Sequence, residues 1–171
     1  MANRILVLDT TVLCCWLRIP GKDTAGPAND LWDFQRIDQL LKIERARGST
    51  FVLPMATLIE TGNHIAQCAG DRYQLAENLC VCLNSAALAE SPWTAFSDQS
   101  SLWDIQGLQK LAQDWPALAA TGMSIGDTTI KAVADYYAVA GLEVQILTGD
   151  QGLRAYHSAQ PVQIPRRRRV H

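Results

Sequence analysis

Short apolar runs alternate with longer amphipathic stretches along this chain, a pattern that predicts strands separated by helices. Three runs have the length and composition of buried strands, and they lie at 5–8, 50–53 and 144–147. Apolar residues at helical spacing predict helices at 12–17, 30–47, 56–69, 72–89, 102–114 (closed by Trp115-Pro116), 124–140 and 151–156. Loops are expected at 20–27 and 91–101, and a last edge strand at 162–164. Together these elements predict an α/β domain of three layers, α/β/α, with a central, mostly parallel sheet.

Length and composition fit one domain of ordinary size. Of the 171 residues 48% are hydrophobic and 19% charged, so the chain can bury a core and is not disordered throughout. We assign 1–165 to this domain and 166–171 to a basic tail. No stretch approaches the ~20 apolar residues of a membrane span, and Asp9 comes too early for a secretory signal peptide. Five cysteines without a C-x-x-C pair predict buried thiols in a reducing, cytoplasmic location.

Charge is distributed unevenly between the body and the tail. The chain carries 15 Lys and Arg against 17 Asp and Glu, and four of these cations form the run Arg166–Arg169. The other 11 cations leave residues 1–165 with a charge of −6. Such an acidic body is unusual for a nucleic-acid partner, whose binding rests largely on basic groups. The arginine run fits two interpretations equally: an arm that contacts phosphates, or a solvated terminus that aids solubility or contacts an acidic protein.

Four acidic residues lie at the ends of predicted core elements. Asp9 follows the first strand directly, and Asp150 comes three residues after the third strand. Glu60 and Asp127 lie in the first turns of two predicted helices. The carboxyl ends of parallel strands form one edge where ligands bind, so these four carboxylates are expected to converge there. Carboxylates so close repel unless a cation stabilises them, and oxygen ligands without His or Cys favour Mg²⁺ or Mn²⁺ over zinc.

Each of these acids also has a purely structural interpretation. The segments 57–60 and 124–127 have the spacing of capping boxes, in which the acid reaches back to the first amide of its helix. Asp150 fits a turn, and Asp9 fits the N-cap of the helix after it. Taken singly, each acid is more simply a cap or turn residue. The structural interpretation is weaker for the set, because it does not explain why all four fall at one predicted sheet edge.

The segments around the four acids resemble the motifs of the PIN-domain ribonucleases, of the VapC-like toxin type. Residues 6–13, Leu-Val-Leu-Asp-Thr-Thr-Val-Leu, are similar to the opening motif of strand, acid, small polar residue and apolar helix. Residues 53–63 resemble the second motif, in which Glu60 follows a strand and a proline-led turn. Residues 124–134 and 146–153 resemble the third and fourth, built around Asp127 and Thr148-Gly-Asp150. All four motifs occur in the order of the family.

The resemblance implies a PIN-like fold and cleavage of RNA with Mg²⁺ or Mn²⁺. It implies a metal site of Asp9, Glu60, Asp127 and Asp150, supported by the hydroxyls of Thr11 and Thr148. Asp9 and Asp127 are then the best direct ligands, Glu60 binds metal or positions a water, and Asp150 acts directly or through water. One or two such ions would orient and deprotonate a water for in-line attack on a phosphodiester. The same resemblance implies a toxin role, an antitoxin protein as partner and a homodimer.

Several alternatives stay open at this stage. The rival class is a non-catalytic PIN-like module that binds RNA or protein, and a DNA-directed nuclease of related fold is a third possibility. Arg154 either contacts a phosphate or lies on a solvated helix face. The aromatic residues of the segment 90–122 either stack on unpaired bases or, as we favour, pack in the core: Trp93, Trp103 and Trp115. His64 and Cys68 have metal-ligand spacing but no second pair, which argues against zinc.

Overall fold

The computed structural model describes residues 4–155. In chain order its strands and helices are β1 (Arg4–Leu8), α1 (Thr10–Trp16), β2 (Thr24–Ala25), β3 (Trp32–Asp33), α2 (Phe34–Ala46), β4 (Thr50–Val52), α3 (Met55–Gln67), α4 (Arg72–Ala87), α5 (Ile105–Ala120), α6 (Ile125–Val139), β5 (Glu143–Leu147) and α7 (Gln151–Ala155), with a 3₁₀ helix at Phe96–Leu102 before α5. None of these helices has both the length and the apolar composition that crossing a bilayer requires. The strand expected at 162–164 and the arginine run lie outside the described residues.

The three predicted core strands form one parallel sheet in the order β4-β1-β5. Ile5 of β1 is paired with Thr50 on one side and with Val144 on the other. The central strand is buried from Ile5 to Leu8, because neighbours flank both of its edges and helices cover both of its faces. Such a strand must be a continuous apolar run, which is why its sequence is so easily identified.

Side chains alternate between the two faces of the sheet, and each face is covered by different helices. Ile5 and Val7 pack on one side in a cluster with Ile130 and Val133 of α6. Leu6 and Leu8 pack on the other side in a cluster with residues of α2, namely Ile37 and Leu41. A third cluster joins α1, α3 and α4 beside the sheet. The predicted α/β class is therefore confirmed, with helices on both faces of a parallel sheet.

The largest error of the sequence prediction concerns the helix expected at 102–114. Its first residue, Leu102, is the last of the 3₁₀ helix, and α5 begins only at Ile105, because Asp104 accepts a hydrogen bond from the Gly107 amide at 2.8 Å and caps it. The helix then runs through Pro116 to Ala120 instead of ending before it. No residue of α5 is buried, so the helix lies on the surface, where few contacts oppose the distortion that a proline causes.

The two expected loops and the helix expected at 30–47 contain further structure. Residues 24–25 and 32–33 pair as the antiparallel strands β2 and β3, and α2 begins only at Phe34, after its N-cap Asp33. The segment 91–101 includes most of the 3₁₀ helix. These pieces were missed because two-residue strands and 3₁₀ turns are too short to show a period.

Two of the three tryptophans in the segment 90–122 are half-buried and contact neighbouring parts of the protein. Trp93 sits edge-on to Phe51 of β4, with ring centroids 5.7 Å apart. The Trp115 indole N–H donates to the carbonyl of Met123 at 3.3 Å. Trp103 is more open, with 37% of its surface exposed. The packing interpretation is thus supported for Trp93 and Trp115.

The prediction that the cysteines are buried is correct for four of them and wrong for Cys80. Cys80 lies on the outer face of α4, whereas Cys82, two residues later, packs into the cluster between α1, α3 and α4. Burial raises the pKa of the Cys14 and Cys82 thiols to about 11. These two thiols are therefore protonated at neutral pH.

We expect Cys80 to be the one thiol of the native protein that reacts rapidly with Ellman's reagent, because the thiolate is the nucleophile and only this cysteine is exposed. A titration near pH 8 should show one rapid equivalent in the wild type and none in Cys80→Ser. All five thiols should react after unfolding in guanidinium. A rapid equivalent that survives in Cys80→Ser would contradict the packing described here.

Candidate active site

The four predicted acids lie where the three parallel strands end. Asp9 follows β1 and is the N-cap of α1, and Asp150 lies between β5 and α7. Glu60 is on the second turn of α3, which follows β4, and Asp127 is in the first turn of α6. The contacts described below link Asp9 to the segment of Asp150 and bring the start of α6 against Glu60. The structure therefore brings the four segments together at one edge of the sheet.

Asp9 is the most deeply buried member of the group, with 2% of its surface exposed. Its Oδ2 accepts hydrogen bonds from the hydroxyls of Thr11 and Thr148, both at 2.7 Å, and from the Thr11 amide at 3.3 Å. Its own amide donates to the carbonyl of Leu147 at 3.0 Å. Because every donor from residues 4–155 uses Oδ2, Oδ1 is the oxygen left for a ligand.

The segment after β5 supplies the supporting hydroxyl of Thr148 and the carboxylate of Asp150. The Thr148 hydroxyl accepts a hydrogen bond from the Asp150 amide at 2.9 Å, and the Gly149 amide donates to the Thr11 hydroxyl at 2.8 Å. Asp150 Oδ1 accepts from the Leu153 amide at 3.0 Å, which is an N-cap interaction for α7. The interpretation of Asp150 as a turn residue is thus correct in part, because Oδ1 makes this local structural contact.

The Glu60 carboxylate contacts two residues that were not predicted to belong to the site. Its Oε2 accepts a hydrogen bond from the Thr10 hydroxyl at 2.7 Å. Its Oε1 lies so close to the backbone of Gly126 that a Cβ at this glycine would overlap it. The proposed capping box of 57–60 is wrong, because α3 begins at Met55 and the Thr57 hydroxyl donates instead to the carbonyl of Leu8 at 2.8 Å.

Asp127 is half-buried, and its carboxylate interacts with the N-cap residue of its own helix. The Ser124 hydroxyl accepts from the Asp127 amide at 3.0 Å and donates to Asp127 Oδ2 at 2.8 Å. The capping interpretation of 124–127 is therefore partly right. Burial raises the pKa of the Asp127 carboxyl, the negative charges of Asp9 and Asp150 raise it further, and the Ser124 hydrogen bond opposes this. Asp127 is thus within electrostatic reach of both other aspartates.

The donor set fits a hard cation, although the carboxylates do not form a closed ligand group. Across residues 4–155 no three His, Cys, Asp or Glu side chains are grouped so that they could hold one metal ion. The available atoms are nevertheless carboxylate and hydroxyl oxygens, which suit Mg²⁺ and Mn²⁺. Asp9 and Asp127 are best placed to bind such an ion, since each keeps one carboxylate oxygen outside the contacts described above. His64 and Cys68 take no part in such a group, and Cys68 packs in the core.

Arg154 has a role that neither sequence interpretation anticipated. Its Nε donates to the carbonyl of Thr148 at 2.8 Å, and its Nη1 pairs with Asp30 at 2.8 Å. It therefore lies neither on a solvated face nor free to bind a phosphate. Thr10 was detectable as the first helical residue after Asp9, but no local signal indicates the contact of Gly126 with Glu60 or the pair of Asp30 with Arg154, because the partners are distant in sequence.

No protein-family model, no curated protein and no solved structure matches the chain. The sequence motifs and the geometry of the site are therefore the observations that indicate its function.

Proposed function

We propose that the protein is a Mg²⁺- or Mn²⁺-dependent endoribonuclease with a PIN-like, three-layer fold. The observation that carries this proposal is the meeting of four acidic segments at the carboxyl ends of three parallel strands, joined by threonine and serine hydroxyls and by tight backbone packing. Open parallel sheets bind their ligands at this edge. The order of the four motifs along the chain supports the same family. The antitoxin and the homodimer stay predictions.

Each side chain has a distinct part in this proposal. Asp9, fixed through Oδ2 by Thr11 and Thr148, and Asp127, aligned by Ser124, would hold the cation. Glu60, held by Thr10, would accept a proton from the attacking water or orient it. Asp150, which is exposed and whose Oδ1 caps α7, would bind through Oδ2, either directly or through a water. When bound, the divalent ion would activate water for attack on the phosphodiester and stabilise charge at phosphorus and at the leaving oxygen.

The proposal predicts cleavage that depends on a metal and on Asp127. The wild type should cleave end-labelled single-stranded RNA with Mg²⁺ or Mn²⁺ and lose this activity in excess EDTA. Asp127→Asn should lower the rate at least about a hundredfold, since losing a metal ligand removes several kcal/mol of transition-state stabilisation. Calorimetric titration with Mn²⁺ should show weaker binding to this variant.

The control is Asp114→Asn on α5, which removes a more exposed carboxylate that pairs with Lys110 on the surface. Its rate should stay within twofold of the wild type. Equal cleavage by wild type and Asp127→Asn, or full activity in EDTA, would overturn the proposed function. Faster cleavage of a DNA of the same sequence would identify a DNA-directed nuclease instead.

A further inference from the structure

We infer that Arg154 is a positioning residue that orients the peptide unit between Thr148 and Gly149, and through it the two hydroxyls that hold Asp9. This inference rests on the proposed function for its effect on catalysis, but its geometry is independent of it. The central observation is that both ends of one peptide unit are engaged. Its carbonyl accepts the Arg154 Nε at 2.8 Å, and its N–H donates to the Thr11 hydroxyl at 2.8 Å.

The two hydroxyls that contact Asp9 depend on this peptide unit. The Thr11 hydroxyl accepts from its N–H and donates to Asp9 Oδ2. The Thr148 hydroxyl belongs to the residue that provides its carbonyl, and it donates to the same oxygen. A rotation of the peptide plane would therefore disturb both hydrogen bonds together. Arg154 opposes that rotation with a charge-assisted hydrogen bond to the carbonyl.

Arg154 is itself fixed on the side away from the site. Its Nη1 pairs with Asp30 Oδ2 at 2.8 Å, and Asp30 Oδ1 also pairs with Arg36 at 2.7 Å. The guanidinium group lies 5.6 Å from the ring centre of Trp32 in β3. Arg154 Nη2 is buried and has no acceptor among residues 4–155. Because Nε and Nη1 are engaged in these hydrogen bonds and Nη2 is enclosed, the contact of the guanidinium group with the site runs through the peptide.

Gly149, which supplies the N–H of this peptide unit, allows β2 to pack closely against it. A Cβ at Gly149 would lie 2.8 Å from Ala25 Cβ and 2.9 Å from the Ala25 carbonyl carbon. Contacts that close cannot be accommodated without moving β2. The peptide unit is thus enclosed between Arg154, β2 and Thr11, and the Arg154 contact can be removed without introducing bulk and without removing a side chain that touches Asp9.

The test measures hydrogen exchange at the Gly149 amide and steady-state kinetics on the same variants. Arg154→Gln should speed exchange of the Gly149 amide at least about tenfold, since its hydrogen bond to Thr11 would open locally. Amides in the centre of β5 should keep their protection. The kcat for RNA should fall about 10- to 100-fold, the range typical of residues that orient metal ligands, while KM stays within twofold.

Two further variants keep the inference falsifiable. Asp30→Asn removes the ion pair that fixes the guanidinium group but leaves its hydrogen bond to the Thr148 carbonyl possible. The faster exchange of the Gly149 amide and the lower kcat should therefore both appear at a smaller size. This variant tests the inference even if Arg154→Gln fails to fold. Arg72→Gln, which removes a guanidinium–carbonyl hydrogen bond outside the site (Arg72 Nε to the Cys68 carbonyl, 2.9 Å), is the control and should change neither by more than twofold.

Each outcome decides the inference. Unchanged Gly149 exchange in both Arg154→Gln and Asp30→Asn overturns it. A raised KM with unchanged kcat also overturns it, because Arg154 would then contact the substrate. If the wild type shows no metal-dependent cleavage while Gly149 exchange responds as expected, the proposed function fails and the positioning role stands.

Discussion

Asp9→Asn is expected to lower metal-dependent RNA cleavage by at least about a thousandfold, the size of several kcal/mol of lost electrostatic stabilisation. Asparagine has almost the same shape, and its amide oxygen can still accept from Thr11 and Thr148. What it loses is the negative charge at the most buried carboxylate of the site. The measurement is single-turnover cleavage of labelled RNA, with Mn²⁺ binding followed by calorimetry.

The control for this variant must separate capping from metal binding, because Asp9 is also the N-cap of α1. Asp71 is the N-cap of α4 and accepts a hydrogen bond from the Gln74 amide at 3.1 Å. Asparagine caps a helix about as well as aspartate, so Asp71→Asn should keep full activity. Both variants should unfold within about 1 kcal/mol of the wild type. If Asp9→Asn were as active as Asp71→Asn, Asp9 would be a cap and nothing more.

Gly126→Ala should lower cleavage about 10- to 100-fold, as expected when the support of a catalytic side chain is displaced. The new Cβ would overlap Glu60 Oε1, and the Glu60 carboxylate, being the end of a flexible side chain, would give way. Its hydrogen bond from Thr10 would then be strained or lost. The fold should tolerate the change, since alanine favours a helix more than glycine does. Cleavage kinetics and a urea unfolding curve on the same sample would show whether activity falls while stability does not.

Gly62→Ala on α3 is the matched control for this substitution. A Cβ at Gly62 meets nothing within 4 Å, so this variant should gain about 0.5–1 kcal/mol of stability from helix propensity and keep its activity. A Gly126→Ala protein with wild-type activity would show that the position of Glu60 does not matter for the reaction.

The parts of the fold that could be predicted from the sequence are those whose burial leaves a local pattern. The β1 strand is buried on both faces, so every residue from Ile5 to Leu8 must be apolar, and the run is visible without any other information. The α5 helix is different, because it buries no residue. Its apolar residues predict a helix, but Pro116 predicts a C-terminal end there, whereas the helix continues to Ala120.

The same distinction applies to the candidate site. Asp9, Glu60, Asp127 and Asp150 could be proposed because each follows a recognisable strand or helix start. The capping alternative is correct for Asp9, partly correct for Asp127 and wrong for Glu60, and the turn alternative is correct for one oxygen of Asp150. The structural and the ligand uses of an acid share one local spacing. The support of Glu60 by Gly126 and of Thr148 by Arg154 depends on how distant elements pack, which no local pattern records.

The order of strands in the sheet has a consequence for the protein during its own synthesis. The first strand of the chain is central, and one of its two neighbours, β5, begins only at Glu143. Until that segment leaves the ribosome, one edge of β1 has no partner, and non-local pairing of this kind is slow to form. Thr148 and Asp150 arrive with the same segment. A growing chain therefore holds Asp9 with Thr11 but without Thr148, and a nuclease built in this way would stay inert until nearly all of the described domain had been translated.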